Sequence, residues 1–65
     1  MVTHRLIGQR VTDGERVGVL TAVDRRWTDP AQPREGKRIT EPMAFVRPVG
    51  GGVEWTAPPS ALRVV

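Results

Sequence analysis

The absence of cysteine from a chain of only 65 residues constrains its fold more than any other feature. A body of this size buries only about 60% of the surface that its unfolded chain exposes, so its hydrophobic core is small. Without cysteine, neither disulfides nor thiolate metal sites can supplement that core. We therefore expect a single domain over residues 1–65, stabilised by side-chain packing, backbone pairing or self-association.

The same features indicate where the chain resides. No apolar run approaches the roughly 20 residues that span a bilayer, and the first seven residues lack the longer apolar stretch of a secretory signal. Together with the missing cysteines, this favours a cytoplasmic protein. The first five residues carry no strand pattern, and we expect residues 1–5 to fray.

Charge is spread evenly along the chain. Ten basic residues against seven acidic ones give a formal charge of +3, and residues 1–18, residues 24–41 and the remaining residues contribute +1 each. Nine of the ten basic residues are arginine, a bias that a GC-rich genome also produces. The pattern therefore does not indicate a concentrated anion-binding surface.

Turn residues divide the chain into short strands. Asp13 and Gly14 join two β segments within residues 8–27, because this dipeptide tolerates the backbone of a tight hairpin. Three glycines at residues 50–52 separate a strand at residues 43–49 from one at residues 53–57. Pro58 and Pro59 cannot extend a ladder, so we expect a 3₁₀ turn followed by a closing strand.

The segment 17–24 is apolar at both alternating sets of positions, which indicates a strongly curved strand with a bend or bulge at Gly18. The predicted core consists of Val11, Val17, Val19, Ala22, Val23, Phe45, Val46, Trp55, Leu62 and Val64. Because this core is modest, we expect either marginal stability or a dimer that buries Ile7, Leu20 or Met43.

Residues 28–42 interrupt the strand pattern with three prolines and few apolar side chains. We interpret them as a long loop between strands 2 and 3, in which Thr28, Asp29 and Pro30 could cap one helical turn. Loops of this length are functional or disordered, and the polarity of this one favours disorder.

The order of these elements resembles the Src-homology-3-like barrel, the topology also used by PRC, KOW and Tudor modules. The resemblance is strongest in PSAL at residues 59–62, with LIGQRV at residues 6–11 and DGERVG at residues 13–18 resembling the opening of a PRC barrel. It implies an all-β fold, a single five-stranded barrel with a 3₁₀ turn before its last strand. The segment FVRPVGGGVEW at residues 45–55 resembles small uncharacterised proteins of GC-rich Gram-positive bacteria, which implies no activity.

No pattern of catalytic or ligating side chains is found in the sequence. His4 is the single histidine and has no cysteine or second histidine with which to bind a metal, so we interpret it as a solvent-exposed spectator. The hydroxyl residues have only this imidazole as a possible base. We therefore expect neither an enzyme nor a cofactor, and Gly50 to Gly52 is better explained as a hairpin turn than as a phosphate loop.

Three side chains near the predicted strand ends have alternative roles. Trp55 either caps the core or lies at an interface, and Trp27, beside the long loop, is either an exposed recognition aromatic or a packed one. Glu54 is expected to form an exposed ion pair with Arg47 across the hairpin.

Two binding hypotheses follow. The first is a protein-interaction module that binds a protein partner or a second copy through Trp27, the loop or an open sheet edge. The second is a nucleic-acid-binding barrel that uses Arg25, Arg26, Lys37 and Arg38. The candidate binding residues for both are Arg25, Arg26, Trp27, Arg34, Lys37, Arg38 and Trp55.

Overall fold

The computed structural model describes residues 1–28 and 40–65. These residues form five strands, β1 (Arg10–Thr12), β2 (Val17–Trp27), β3 (Glu41–Pro48), β4 (Trp55–Ala57) and β5 (Arg63–Val64), with 3₁₀ turns at His4–Leu6 and Pro59–Ala61. No helix in the described part of the chain is long and apolar enough to cross a membrane. The all-β class, the five strands and the 3₁₀ turn before the last strand are confirmed.

All five strands belong to one antiparallel sheet in the order β4-β3-β2-β1-β5. The β1–β2 and β3–β4 pairs are hairpins, whereas β5 returns from the far end of the chain to pair with β1. Strands β4 and β5 are the edges, so the sheet is open in this pairing pattern. Glu41 and Pro42, which were predicted to lie in the long loop, belong to β3, and the rest of that loop at residues 29–39 lies outside the described residues.

Strand β2 contains two irregularities that decide which of its side chains face the core. Leu20 pairs with Val46 but Ala22 pairs with Phe45, so β2 has one extra residue, Thr21. The hydroxyl of Thr21 donates to a carboxylate oxygen of Glu54 (2.8 Å) and lies 3.1 Å from the Phe45 carbonyl oxygen. Because side chains alternate along a strand, the extra residue exchanges the two faces. The bulge was predicted at Gly18 and lies at Thr21.

A second irregularity follows farther along β2. Between the pairs Asp24–Met43 and Trp27–Glu41, two residues of β2, Arg25 and Arg26, lie opposite one residue of β3, Pro42. Proline has no amide hydrogen to donate to a neighbouring strand, which explains why pairing is interrupted at this point.

The core lies on one face of the sheet. Its buried members are Val2, Val11, Leu20, Ala44, Val46, Trp55 and Leu62. Four of these, Val11, Val46, Trp55 and Leu62, were predicted, and Val23 packs against the cluster as a partly buried residue.

The remaining core predictions are wrong or only partly correct. Val17 and Val64 are 42% and 46% exposed and Ala22 is exposed, while Val19 and Phe45 are half-buried. The bulge explains the outcome in β2, because the even positions face the core before Thr21 and the odd position 23 faces it afterwards. Leu20 and Met43, which were expected to be buried in a dimer, are already buried within the chain.

The N-terminal segment, which we expected to fray, packs against the second 3₁₀ turn. Val2 is only 2% exposed, and its amide donates to the Pro59 carbonyl at 3.1 Å. Residues His4–Leu6 form a 3₁₀ turn, after which the Gly8 amide donates to the Leu20 carbonyl. These contacts bring the start of the chain to the core face of β2.

Both glycine turns are confirmed. Gly14 has φ +101°, and Asp13 accepts hydrogen bonds from the amides of Glu15 and Arg16 at 2.9 and 2.8 Å. The three glycines at residues 50–52 all have positive φ and follow β3. Beyond them, β4 begins at Trp55 and not at Val53, which is 88% exposed.

Gly18 lies where three neighbours approach the backbone of β2. A Cβ atom at this position would lie 2.5 Å from Val46 Cγ1, 2.5 Å from the Arg47 carbonyl oxygen and 2.9 Å from the indole of Trp55. Only glycine leaves room for this indole to pack over the strand.

We expect Gly18→Ala to lower the free energy of unfolding by about 1 to 3 kcal/mol, because the added methyl group overpacks the core against backbone as well as side chains. Urea denaturation followed by circular dichroism measures the change. Val17→Ala, at a neighbouring exposed position, serves as the control and should cost less than about 0.5 kcal/mol. A neutral Gly18→Ala would contradict the close approach.

Asp13 makes stability depend on acid pH. Hydrogen bonds from the Arg16 and Glu15 amides, followed by the Arg16 guanidinium, lower the pKa of its carboxyl from the usual 3.8. A lowered native pKa stabilises the fold above the unfolded pKa, and this contribution disappears as pH falls through the native value. We therefore expect unfolding curves at pH 6 and at about pH 3 to differ less for Asp13→Asn than for the natural protein.

Glu15→Gln is the control for this comparison, since it removes a carboxylate from the same turn. It should leave the pH dependence due to Asp13 in place. An Asp13→Asn variant that loses stability in acid as steeply as the natural protein would refute the assignment.

Candidate functional site

A pocket of about 160 Å³ lies beside the core, between the N-terminal segment, β2, β3 and the second 3₁₀ turn. The residues that line it are Met1, Val2, Thr3, His4, Val23, Arg25, Pro42 and Pro59. Its walls are mainly apolar, and the polar side chains among these residues are those of Thr3, His4 and Arg25.

The irregular pairing of β2 positions the arginine of this pocket. Val23 and Arg25 are two residues apart on β2 and therefore share its core face, and both line the pocket. Along this face an apolar side chain is followed by a charged one. Arg26, the next residue, is exposed and does not line the pocket, and its amide donates to Asp24 Oδ1 at 2.9 Å. Two adjacent arginines of the sequence therefore have different surroundings.

His4 and Arg25 meet at the pocket rim. The Arg25 Nη2 lies 3.2 Å from His4 Nδ1. Since a guanidinium can only donate, Nδ1 accepts in this contact and the proton of the neutral ring is assigned to Nε2. His4 is exposed as predicted, but it contacts a candidate binding residue and is not isolated.

Arg25 has one side-chain partner, His4, among the residues that the structure describes. A guanidinium carries five N–H groups, and one of them faces His4. Among residues 1–28 and 40–65, no carboxylate lies within 4.0 Å of Arg25, and the single ion pair there joins Arg16 to Asp13 at 3.3 Å.

The predicted pair of Glu54 with Arg47 is wrong, because Glu54 bonds to Thr21 in place of Arg47.

Trp55 belongs to the core. Its side chain is 8% exposed, it pairs with Val46 on β3, and the Arg16 guanidinium lies 4.3 Å from its ring centre. The indole Nε1 is buried and has no hydrogen-bond partner within the described residues. Of its two predicted roles, the structure therefore favours capping the core.

Trp27 does not line the pocket either. Trp27 is half-buried at the end of β2, opposite Glu41, about seven residues along the strand from the row that contains Trp55. The same two rows are five residues apart on β3, so at roughly 3.3 Å per residue they are separated by about 17 Å. Arg34, Lys37 and Arg38 lie outside the described residues.

Sequence patterns did not reveal the pocket. Val2, His4, Pro42 and Pro59 come from three separate segments, and no local periodicity relates them to Arg25. No cluster of three or more histidine, cysteine, aspartate or glutamate side chains suited to a metal occurs in residues 1–28 and 40–65.

No protein-family model, curated protein or solved structure matches this chain.

We expect Trp55→Ala to lower the free energy of unfolding by about 3 to 5 kcal/mol, because it leaves a large cavity above Gly18. A domain of this size is stable by roughly 3 to 10 kcal/mol, so much of the chain should be unfolded. Thermal denaturation measures the effect. Val53→Ala, an exposed control two residues away, should change stability by less than about 0.5 kcal/mol. A stable Trp55→Ala variant would return Trp55 to the binding candidates.

Proposed function

We propose that the protein is a non-enzymatic binding module, and that its pocket receives a carboxylate-bearing aliphatic group of a protein partner. The observation that carries this proposal is an apolar pocket with an arginine at its rim and no acidic neighbour within the described residues. Apolar walls with a few convergent polar groups are the usual composition of a ligand site.

The size of the pocket limits the ligand. At about 160 Å³ it is smaller than the roughly 300 to 1,000 Å³ of sites that enclose cofactors and drug-sized molecules. It is close to the cavity of about 150 Å³ that accommodates benzene in another protein. The pocket therefore suits one side chain or a branched aliphatic chain of similar volume.

The charge at the rim selects the polar end of the ligand. An arginine presents parallel N–H groups that match the two oxygens of a carboxylate, and such charge-assisted bonds are stronger than neutral ones. The imidazole of His4 adds an N–H donor at Nε2. In a protein partner, a chain that ends in an aliphatic residue supplies both parts, as does a glutamate beside leucine.

The finer fold is part of the proposal. We propose that the sheet curves into a Src-homology-3-like barrel, as the sequence resemblance implies. Two findings support it: β2 is long and twice bulged, which increases strand bending, and β1 pairs with both β2 and β5. In such a barrel the pocket would lie at the end where the N-terminal segment meets the second 3₁₀ turn.

The test is a titration of ¹⁵N-labelled protein with 4-methylpentanoate and with the uncharged 4-methylpentanamide. We expect the carboxylate to shift the amide signals of Val2, Val23 and Arg25 in a saturable way, with a Kd of about 1 mM. For eight non-hydrogen atoms this is about −0.5 kcal/mol per atom, within the range observed for small ligands. The amide should bind at least 10-fold more weakly, since it lacks the charge-assisted bond.

Arg25→Gln and Arg26→Gln form a matched pair of variants. The first should lose at least 10-fold in carboxylate affinity, whereas the second removes an equal charge outside the pocket and should leave affinity unchanged. Equal losses in both variants, or equal binding of acid and amide, would refute the pocket.

Short peptides then identify the source of the carboxylate. An acetylated Gly-Gly-Leu peptide with a free carboxylate tests the chain end, and an amidated Leu-Glu peptide tests the acidic side chain. If 4-methylpentanoate binds but neither peptide does, the pocket takes small carboxylates and the proposed protein partner is wrong.

A further inference from the structure

The sheet face opposite the core gathers arginines that are far apart in the sequence. Arg10 pairs with Val19, and Val19 pairs with Arg47 on its other side. Residues directly opposite in antiparallel strands project from the same face, so both arginines flank Val19. All three alternate with buried residues of the core face, and both arginines are exposed.

A third arginine joins this face one row away. Thr12 is two residues from Arg10 on β1 and therefore projects from the same side, and it pairs with Arg63 of β5. With strands about 4.8 Å apart and residues about 3.3 Å apart, the Cα atoms of Arg47 and Arg63 each lie within roughly 10 Å of Arg10. We call Arg10, Arg47 and Arg63 the arginine triad.

The arginine triad forms no ion pair within the part of the chain that the structure describes. Within residues 1–28 and 40–65, none of its members has a carboxylate within 4.0 Å. Continuing the β3–β4 register places Glu54 opposite Arg47, but its carboxylate accepts from the Thr21 hydroxyl and forms no ion pair with Arg47. Asp13, in the adjoining turn, is paired with Arg16. Three arginines beside the single carboxylate of Glu54 leave a local excess of positive charge among the described residues of this part of the sheet.

An aromatic ring lies beside the arginine triad. Phe45 is two residues from Arg47 on β3, projects from the same face and is half-buried. Its cross-strand neighbours are Ala22 on β2 and Thr56 on β4, which are small and exposed. Part of the ring is therefore accessible between two small side chains.

We propose that this face binds single-stranded nucleic acid, with the arginine triad contacting phosphates and Phe45 stacking on a base. Cations beside an accessible aromatic ring are the chemistry of sequence-tolerant single-strand binding. A duplex fits less well, because its bases are stacked on one another and leave no free base face for Phe45 to contact. These residues differ from those that the sequence suggested for nucleic acid.

The test measures the fluorescence anisotropy of a labelled oligothymidylate of about 12 nucleotides, within the range of known site sizes. We expect binding that weakens about 15- to 20-fold between about 50 and 200 mM salt, since three phosphate contacts give a slope of log affinity against log salt near −2. Arg10→Gln, Arg47→Gln and Arg63→Gln should each reduce that slope by about 0.7.

Arg5→Gln is the matched control, because Arg5 is exposed in the first 3₁₀ turn and lies outside this face. It should bind the oligonucleotide as the natural protein does. Phe45→Leu keeps an apolar side chain but removes the π face, and should weaken binding at least 5-fold. Thermal unfolding within a few degrees of the natural protein confirms that each variant is folded.

Three results would overturn the proposal. The first is the absence of binding at about 50 mM salt, and the second is a loss of affinity in Arg5→Gln equal to that in the triad variants. The third combines two observations: Phe45→Leu keeps the natural affinity, and polyglutamate at equal charge concentration displaces the oligonucleotide from that variant. The last result would assign the face to an acidic protein. Because Arg25 lies in the pocket, Arg25→Gln should leave oligonucleotide binding intact, so this proposal and the proposed function fail independently.

Discussion

The bulge at Thr21 is the structural feature on which both faces of this protein depend. One extra residue in β2 exchanges inward and outward positions, so that Leu20 packs into the core before it and Val23 packs against the core after it. The Thr21 hydroxyl lies within hydrogen-bond distance of both the Phe45 carbonyl oxygen and the Glu54 carboxylate, which places the bulge against β3 and against the residue before β4. Without the exchange, Arg25 would project from the opposite face and the pocket would lose its charged group.

The close approach of Trp55 to Gly18 completes the same core. A large indole lies over the one position of β2 that has no side chain, and the Arg16 guanidinium covers its ring from the neighbouring turn. Asp13 in turn holds Arg16 through backbone and side-chain contacts. A chain with few bulky residues thus obtains a packed centre from one tryptophan, one glycine and a capped turn.

The two binding proposals use different side chains on opposite faces of one sheet. The pocket combines apolar walls with a single guanidinium and is too small for more than one anchoring group. The opposite face is shallow and exposed, with three arginines and one aromatic ring in adjacent rows. Both proposals rest on β pairing, which brings together residues that are distant in a sequence of mixed charge.

The sequence by itself determined the strands, the two glycine turns and the 3₁₀ turn at Pro59–Ala61, because turn chemistry and alternation act over a few neighbouring residues. It also identified Val11, Val46, Trp55 and Leu62 as core. Only the tertiary structure decided the facing of β2 after Thr21, the burial of Val2, and the meeting of His4 with Arg25 across 21 residues. These features depend on register between segments that are far apart, where one inserted residue reverses every later side chain and leaves no local signal.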